Sequence, residues 1–290
     1  MGYTNSVMKK LKTPLRYPGG KSRAMKTLGQ YFPRDITDYR EPFLGGGSVA
    51  LWVTQQYPDA NIWVNDAYGH LIDFWQSLQK DPKLMMTYIR HWKNQVGDDP
   101  VKGRELFDWM KEHISKQDKF VRGAWFYVLN KMSFSGLGES SGFSAGAQKQ
   151  NFTIKGIELL PEYGELIKNW KITKNDWSEL IKNDKDAFVF LDPPYEISSG
   201  LYGKNGEHHI HFNHDKFAEK MAKSKSRHMI TYNADQKVMN RFPEHEQVVW
   251  DLTYTMRHNN SEKYKQEQVD RKELILLNYE YENTLEKHYA

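Results

Sequence analysis

Four consecutive residues, Asp192, Pro193, Pro194 and Tyr195, combine an acidic side chain, a rigid backbone and an aromatic ring. The prolines restrict the backbone and remove two N–H donors, which leaves the Pro193 carbonyl and the Asp192 carboxylate as fixed acceptors. An amino group on an aromatic ring carries two N–H donors, so two fixed acceptors would bind it in one orientation. Tyr195 adds a face on which a base can stack, a contact of about 1–3 kcal/mol. Taken alone, the segment could equally be a rigid turn.

A buried strand is expected immediately before this segment. Residues 187–191 form a continuous apolar run, which is typical of a strand covered on both faces in a parallel sheet. Open α/β sheets bind their ligands beyond the carboxyl ends of such strands. The position of Asp192 therefore favours a binding site over a turn.

A second candidate site begins at the glycine turn between residues 44 and 48, which follows a strand near residues 39–43 and precedes a helix. Glycines there allow close approach of a ligand to the backbone, and a helix N-terminus favours an anionic group. The spacing differs from G-x-G-x-x-G, so the dinucleotide fingerprint is excluded. Asp66, about 20 residues further on, ends the next strand, where a carboxylate can bind ribose hydroxyls. The pair predicts an adenosine-containing ligand; the alternative is a tight turn and an unrelated strand-end carboxylate.

Two other motifs are rejected. Residues 17–22 end like a phosphate-binding loop, but Leu15 occupies the place of the first glycine in G-x-x-x-x-G-K-[ST], so an NTPase is excluded. The segment can still bring Lys21 to a ligand. Residues 208–214 are rich in histidine but lack H-E-x-x-H spacing and cysteine, so we interpret them as a polar loop and predict no metal site.

The elements that position these residues alternate between strands and helices. Strand character is found near residues 61–66, 187–191, 228–232 and 273–277, whereas 71–131 has apolar residues at helical spacing. Residues 133–152 are interpreted as an irregular loop or hairpin. The sequence therefore predicts a Rossmann-like, mostly parallel α/β sheet with an inserted, mainly helical domain. We place the sheet domain at residues 10–70 and 171–290 and the insertion at 71–170.

Composition narrows the class of protein. The 290 residues include no cysteine, which excludes disulfides, cysteine nucleophiles and base C5 methylation through a cysteine adduct. The net charge of +4, from 41 basic and 37 acidic residues, permits a nucleic-acid partner without demonstrating one. No apolar run approaches the roughly 20 residues of a membrane helix, and the N-terminus lacks the apolar segment of a signal peptide. We therefore expect no membrane partner and a cytoplasmic location.

Four segments in this order resemble the alpha-class, Dam-type DNA adenine-N6 methyltransferases. They are residues 14–21, residues 41–48, Asn65-Asp66 and residues 192–195. In that family the cofactor segments come first, a target-recognition region follows, and the catalytic segment comes last. The resemblance extends from about residue 14 to Tyr279, and four ordered motifs are far more specific than one.

The resemblance implies roles for individual residues. It implies that S-adenosylmethionine is bound by Tyr17, Lys21, Glu41, Phe43, Gly45, Gly46, Gly47, Ser48, Asp66, Asp176 and Asp192. It implies that the target base is held by Asp192, Pro193, Pro194 and Tyr195. It implies that DNA is contacted by Asn130, Lys131, Ser133, Ser135 and Gly136. No metal is implied.

Two features separate the chain from GATC-specific members. Those members carry an arginine after the Asn-Gly-Leu element, whereas Leu137 is followed here by Gly138, Glu139 and Ser140. Arginine to guanine is the commonest specific base contact, so the target sequence stays open. Residues 253–272 form a polar, basic-leaning segment, which we interpret as a solvated loop with phosphate binding as the alternative.

The resemblance implies transfer of a methyl group to N6 of an adenine flipped out of double-stranded DNA by a monomer or weak dimer. Such an enzyme would act in a bacterial cytoplasm, whether it belongs to the cell, a phage or a mobile element. Alternative acceptors are cytosine N4, RNA adenine and a protein glutamine amide; Asp192 favours adenine, because glutamine enzymes typically have Asn there and cytosine-N4 enzymes often Ser. The sequence is also compatible with a non-catalytic nucleic-acid-binding protein of this fold and, less readily, with an α/β domain of unrelated function.

Overall fold

The computed structural model describes residues 10–181, 184–195, 212–251 and 272–281. These residues divide into two compact units. The helical unit comprises residues 10–23, 45–60 and 69–170, and the sheet unit comprises 24–44, 61–68 and the described residues from 171 onward. This division differs from the predicted boundaries, because residues 10–23 and 45–60 group with the helices. The role of residues 71–170 in DNA recognition stays a prediction.

The sheet unit is built on seven strands within the described residues. They are β1 (Asp38–Glu41), β2 (Asn61–Asn65), β3 (Lys171–Thr173), β4 (Ala187–Leu191), β5 (Arg227–Asn233), β6 (Glu246–Asp251) and β7 (Lys272–Leu277). Their order across the sheet is β3-β2-β1-β4-β5-β7-β6. The first five strands of this order pair in parallel, and β7 pairs antiparallel with both β5 and β6. The prediction of a mostly parallel α/β sheet is confirmed.

β4 lies at the centre of the sheet, and all five of its residues are buried. Because β1 and β5 both pair with it in parallel, the strand has no solvent-facing edge, in agreement with its unbroken apolar sequence. One of its faces packs on a cluster that includes Phe217, Ile230 and Leu274. The rings of Phe32 and Tyr279 pack on Phe188 of β4, with 5.0 Å and 5.9 Å between ring centroids, respectively.

Most helices of the described chain belong to the helical unit. They are α2 (Ser48–Gln56), α3 (Gly69–Lys80), α4 (Pro82–Val96), α5 (Pro100–His113), α6 (Lys119–Met132), α7 (Ala145–Asn151), α8 (Ile154–Glu158) and α9 (Leu160–Leu166). The sheet unit contains α1 (Met25–Leu28), α10 (His214–Ala222) and α11 (Gln236–Arg241). Asp81, Asp99 and Asp118 begin α4, α5 and α6, each with its carboxylate accepting a backbone N–H of the first turn.

The segment after α6 is only partly irregular. Residues 133–144 contain two 3-10 turns and one antiparallel bridge between Ser133 and Phe143, as expected for an irregular loop or hairpin. The prediction is wrong for 145–151, where α7 forms. Ser144 begins this helix by accepting the Ala147 N–H, a local cap that the loop-like composition concealed.

Two interpretations made from the sequence fall outside the described part of the chain. They concern His208, His209 and His211 and nearly all of the polar segment 253–272. The last histidine of the first of these segments, His214, is described, and the prediction of a loop is wrong there because His214 begins α10 after Asn213, whose side chain accepts the Lys216 N–H. In the ranges that are described, no helix has the length and apolar character needed to cross a membrane.

A pair of histidines is buried in the sheet unit. The Nδ1–H of His228, on β5, donates to the Ser226 carbonyl at 2.9 Å, which leaves its Nε2 to accept the Nε2–H of His245 at 2.8 Å. Nδ1 of His245 is buried with no hydrogen-bond partner in the structure as described. Burial lowers the pKa of His228 to about 3 and that of His245 to about 4, so both rings are neutral in the folded protein at pH 7.

We expect the folded protein to lose stability below about pH 6.5. Both folded-state pKa values lie below the ordinary value, so the unfolded chain takes up protons that the folded chain does not. Each histidine contributes about 2 kcal/mol, so the free energy of unfolding should fall by roughly 4 kcal/mol between pH 7 and pH 5. Urea denaturation followed by circular dichroism measures it.

The matched variant is His228→Gln with His245→Gln, whose amides do not titrate. It should show a flatter pH dependence than the parent, whereas His91→Gln, at an exposed position, should not. The same slope in parent and double variant would show that the pair does not set the pH dependence.

Candidate active site

The segment that follows β4 is held by the neighbouring strand β5. The Thr231 hydroxyl donates to Asp192 Oδ1 at 2.7 Å, and Thr231 is only 1% exposed. Asp192 itself is half-buried, and Pro193 is buried. A fixed donor on one carboxylate oxygen restricts rotation of the side chain. The Asp192 carboxylate is therefore a positioned acceptor at the carboxyl edge of the sheet.

Tyr195 is fixed by two contacts. Its hydroxyl donates to Glu273 Oε2 at 2.6 Å, and its ring lies 5.8 Å from that of Tyr232, with 32° between the planes. Tyr232 is bonded in turn to His214, with 2.8 Å between its hydroxyl oxygen and the ring Nδ1. Orientation of the Tyr195 ring is thus set both by its hydroxyl and by ring packing.

Glu41 ends β1, the strand beside β4. Its side chain is buried and accepts the Tyr39 hydroxyl at 2.6 Å. Burial, and then the neighbouring Glu41 carboxylate, raise the pKa of Tyr39 well above its ordinary value, so its hydroxyl keeps its proton. A carboxylate is therefore held at the carboxyl end of β1.

Asp66 follows β2, on the other side of β1. Its Oδ1 accepts the Tyr68 N–H at 2.9 Å, and its own N–H donates to the Thr173 carbonyl at 3.3 Å. The preceding Asn65 is buried and bonds to the Pro42 carbonyl at 3.2 Å and the Asn175 carbonyl at 3.0 Å. Because β2, β1 and β4 are parallel neighbours, Asp66, Glu41 and Asp192 all lie at the same edge of the sheet.

Phe43 and Asp176 also belong to the sheet unit. The Phe43 ring stacks on Trp177, with 6.1 Å between centroids and 27° between planes. Asp176 is exposed and accepts the Ser178 N–H at 2.9 Å, which begins a short 3-10 helix at Trp177–Glu179. Both residues thus lie in the chain that follows β1 and β3, and a role for them in cofactor binding stays a prediction.

The glycine turn belongs to the helical unit. Gly45 and Gly47 have positive φ angles of 47° and 68°, and a Cβ at Gly47 would lie 2.7 Å from the Trp75 ring. A Cβ at Gly45 or Gly46 would lie within 2.9 Å of Tyr17. Glycine is therefore required by the left-handed backbone and by close packing against these two rings.

Lys21 and Ser48 lie in the same unit. Lys21 is buried, and its Nζ donates to the Gly19 carbonyl at 3.1 Å. The Ser48 hydroxyl lies 2.9 Å from that of Ser22, at the beginning of α2. Both side chains thus have partners within the helical unit, and their role in cofactor binding stays a prediction.

Asn130 holds the loop after α6 to the N-terminal segment. Its Oδ1 accepts the Arg16 N–H at 2.9 Å, and its Nδ2 donates to the carbonyls of Arg16 at 2.6 Å and Gly136 at 2.8 Å. Gly136 has a φ of 74°, and a Cβ there would lie 2.5 Å from the Arg16 carbonyl oxygen. Both amide N–H groups of Asn130 are therefore used on the backbone, which sets the shape of the loop.

Ser133 and Ser135 shape the same loop. Ser133 is buried; its hydroxyl accepts the Gly138 N–H at 2.8 Å, and its carbonyl accepts Arg16 Nη1 at 2.9 Å. Ser135 adopts a φ of 53°, unusual for a residue with a side chain. Phe134, between them, is 51% exposed. The loop is thus held by hydrogen bonds at Ser133 and exposes the aromatic ring of Phe134.

Lys131, the next-to-last residue of α6, lies in an unfavourable place for a cation. Burial lowers the pKa of its ammonium to about 8, and the Arg16 guanidinium acts in the same direction. Its Nζ lies 5.3 Å from the centroid of the Tyr127 ring, which partly offsets the lost hydration. An anion beside Lys131 would therefore gain more than one beside a fully solvated lysine.

Sequence reasoning brought out Asp192, Tyr195, Glu41 and Asp66, which the structure collects at one edge of the sheet. It missed the residues that hold them, Thr231 and Glu273, because a threonine and a glutamate in separate strands carry no local motif. Only the order of the strands in the sheet could have shown that Thr231 and Glu273 lie beside this segment. Among the described residues, no group of three or more metal-ligating side chains forms a cluster.

Comparison with known proteins identifies the family of this chain. Residues 17–265 match the D12 class N6 adenine-specific DNA methyltransferase family. The chain is 24% identical to the Type II methyltransferase M.MjaIII of Methanocaldococcus jannaschii over 245 residues, which are 76% of this chain and 84% of that protein.

Two further relatives come from a virus and a bacterium. Type II methyltransferase M.CviBI of Paramecium bursaria Chlorella virus NC1A is 24% identical over 211 residues, or 67% of this chain and 72% of that protein. Type II methyltransferase M1.LlaDCHI of Lactococcus lactis subsp. cremoris is 23% identical over 187 residues, or 62% and 64%. Since the family match covers well over half of the chain, the protein belongs to the D12 class of N6 adenine-specific DNA methyltransferases.

Proposed function

We propose that this enzyme transfers the methyl group of S-adenosylmethionine to N6 of an adenine flipped out of duplex DNA, with residues 192–195 holding the base. One observation carries the proposal. The Asp192 carboxylate stands at the carboxyl end of the fully buried β4, bonded to Thr231 and followed by two prolines. Flipping is required because N6 is otherwise paired and stacked within the duplex.

Within the site, each residue of the segment has a separate task. The Asp192 carboxylate and the Pro193 carbonyl accept the two N6–H groups, which orients the nitrogen lone pair. Pro194 keeps the backbone rigid, and the Tyr195 ring stacks on the adenine. As the new N–C bond forms, the bond between the methyl carbon and the donor sulfur would break with its electron pair left on sulfur. Positive charge then develops on N6, and the Asp192 carboxylate stabilises it. The extra proton of the methylated nitrogen then leaves to solvent.

The residues at the sheet edge fit S-adenosylmethionine in their chemistry. That molecule presents hydrogen-bond donors, in its ribose hydroxyls and its ammonium group, and the edge presents the carboxylates of Glu41 and Asp66. We assign the ribose hydroxyls to Asp66, which is anchored by the Tyr68 N–H, and the contact with the adenine to Asp176. When bound, the cofactor supplies a methyl group on a positively charged sulfur, which is already a strong electrophile.

Further cofactor residues are proposed from the sequence resemblance. They are Tyr17, Lys21, Phe43, Gly45, Gly46, Gly47 and Ser48. Support comes from the family match, which begins at residue 17, and from the close backbone packing of the glycine turn. No side chain is needed there to react, so their task would be binding alone.

DNA is proposed to contact the loop after α6 and the lysine before it. Lys131 would bind a phosphate, and Ser133, Ser135 and Gly136 would present the loop, with Asn130 as its anchor. The names of the relatives, type II methyltransferases, favour action on a defined double-stranded sequence, as in restriction-modification. We propose that the enzyme acts as a monomer or weak dimer and needs no metal.

Asp192→Ala should abolish methyl transfer and leave cofactor binding nearly unchanged. Loss of the positioned acceptor removes both orientation and charge stabilisation, so we expect the rate to fall at least about 100-fold. Unmethylated DNA is incubated with labelled cofactor, digested to nucleosides and analysed for N6-methyladenine, while calorimetry gives the cofactor affinity.

Asp186→Ala, at an exposed carboxylate just before β4, is the matched control and should keep the parent rate. Equal rates for Asp192→Ala and the parent would contradict the assignment. Label found only in another nucleoside would contradict the assignment of adenine N6 as the methyl acceptor.

Asp66→Ala should instead weaken the binding of S-adenosylmethionine. Loss of hydrogen bonds to a charged group corresponds to roughly a 10-fold to 100-fold rise in Kd. Calorimetric titration measures it, with Asp59→Ala as the control at an exposed carboxylate. An unchanged Kd for Asp66→Ala would remove Asp66 from the site.

DNA affinity should fall as the pH rises through about 8. Burial lowers the pKa of Lys131 to that value, so the cation needed for a phosphate contact is progressively lost above it. Lys131→Met should abolish this pH dependence and reduce the salt slope of binding by about 1. Fluorescence anisotropy from pH 7 to pH 9 measures both, with exposed Lys83→Met as control. A pH dependence that persists in Lys131→Met would exclude Lys131 as its source.

A further inference from the structure

We propose that Glu273 is a positioning residue for methyl transfer, which fixes the plane of the Tyr195 ring and through it the plane of the target base. The inference rests on the proposed function, since it takes Tyr195 as the surface on which the flipped adenine stacks. Glu273 lies on β7, more than 75 residues beyond the segment that holds the base, and no motif of that segment includes it.

The strand order explains how this distant residue reaches the site. β7 runs antiparallel to β5, and Glu273 near its start pairs with Asn233 at the end of β5. The start of β7 therefore lies at the same edge as the carboxyl ends of β4 and β5. The Tyr195 side chain spans this edge, because its ring packs against Tyr232 of β5 and its hydroxyl reaches Glu273 of β7.

The chemistry of the contact suits a fixed orientation. Glu273 is only 5% exposed, and a buried carboxylate is costly unless it accepts hydrogen bonds. At 2.6 Å, the bond from the Tyr195 hydroxyl is in the short range of charge-assisted hydrogen bonds. Ring packing on Tyr232 and this bond at the far end of the ring together restrict both side-chain torsions of Tyr195.

The two base-holding side chains of the site are thus supported in parallel ways. Thr231 of β5 donates to Asp192, and Glu273 of β7 accepts from Tyr195. Asp192 sets the direction of the N6–H bonds, while Tyr195 sets the plane of the ring that carries N6. An error in that plane would move the nitrogen lone pair away from the methyl group without weakening cofactor binding.

The test is a double-mutant cycle on single-turnover methyl transfer, at saturating cofactor and saturating duplex that carries the site mapped by sequencing methylated DNA. The variants are Glu273→Leu, Tyr195→Phe and the two combined. We expect each single variant to be about tenfold slower than the parent and the double variant to be no slower than the slower single one. Kd for S-adenosylmethionine should stay within about twofold of the parent.

Two further variants separate positioning from structural support. Glu273→Gln keeps an acceptor for the tyrosine hydroxyl and should restore most of the single-turnover rate, whereas Glu273→Asp keeps the charge but shortens the reach and should not. Glu246→Leu, which removes an exposed carboxylate of β6, should keep the parent rate. Should Glu273→Leu fail to fold, Glu273→Asp replaces it in the cycle.

The outcomes are distinguishable. A parent enzyme that forms no N6-methyladenine contradicts the proposed function itself. A parent that methylates adenine, with rate losses that multiply in the double variant or a Glu273→Leu rate within about twofold of the parent, overturns the role of Glu273 alone. Non-additive losses at unchanged cofactor affinity, with recovery in Glu273→Gln, support it.

Discussion

The site depends on the burial of β4 between two parallel neighbours. A strand that is apolar along its whole length and bonded on both sides cannot shift its register without exposing core residues, so its last residue has a fixed position. Asp192 and the two prolines follow directly and are therefore positioned by the strand. The donor on Thr231 then removes the remaining freedom of the carboxylate. Positioning at this edge therefore originates in the core, and the polar residues only complete it.

Much of this could be foreseen from the sequence, for physical reasons. The run at 187–191 has no polar residue, which restricts it to a buried strand, and the helices between 71 and 131 show regular apolar spacing. The strands β3 and β6 were missed, because β3 has only three residues and β6 begins and ends with acidic residues at the edge of the sheet. The antiparallel pairing of β7 likewise has no local signature. α7 was missed because glycine and serine usually indicate a loop.

The predicted domain boundaries separate long continuous stretches of sequence, whereas the compact units combine shorter segments that pack together. Residues 10–23 belong with the helices because Arg16 is bonded to Asn130 and Ser133, more than a hundred positions away. The amino-acid pattern alone left open which group accepts the methyl and whether activity is retained. Membership of an N6 adenine-specific DNA methyltransferase class decides both in favour of an enzyme acting on adenine in DNA.

The amide of Asn130 has a consequence for the exchange of segments between relatives. It bonds both backbone groups of Arg16 and the carbonyl of Gly136, and Gly136 lies too close to Arg16 for any side chain. The loop after α6 and the segment around Arg16 are thus coupled through Asn130, although they are far apart in sequence. A loop transplanted from another enzyme without its matching N-terminal segment would still need a glycine beside Arg16, because a Cβ at position 136 would lie 2.5 Å from the Arg16 carbonyl oxygen. Changes in the loop are therefore constrained by the segment around Arg16.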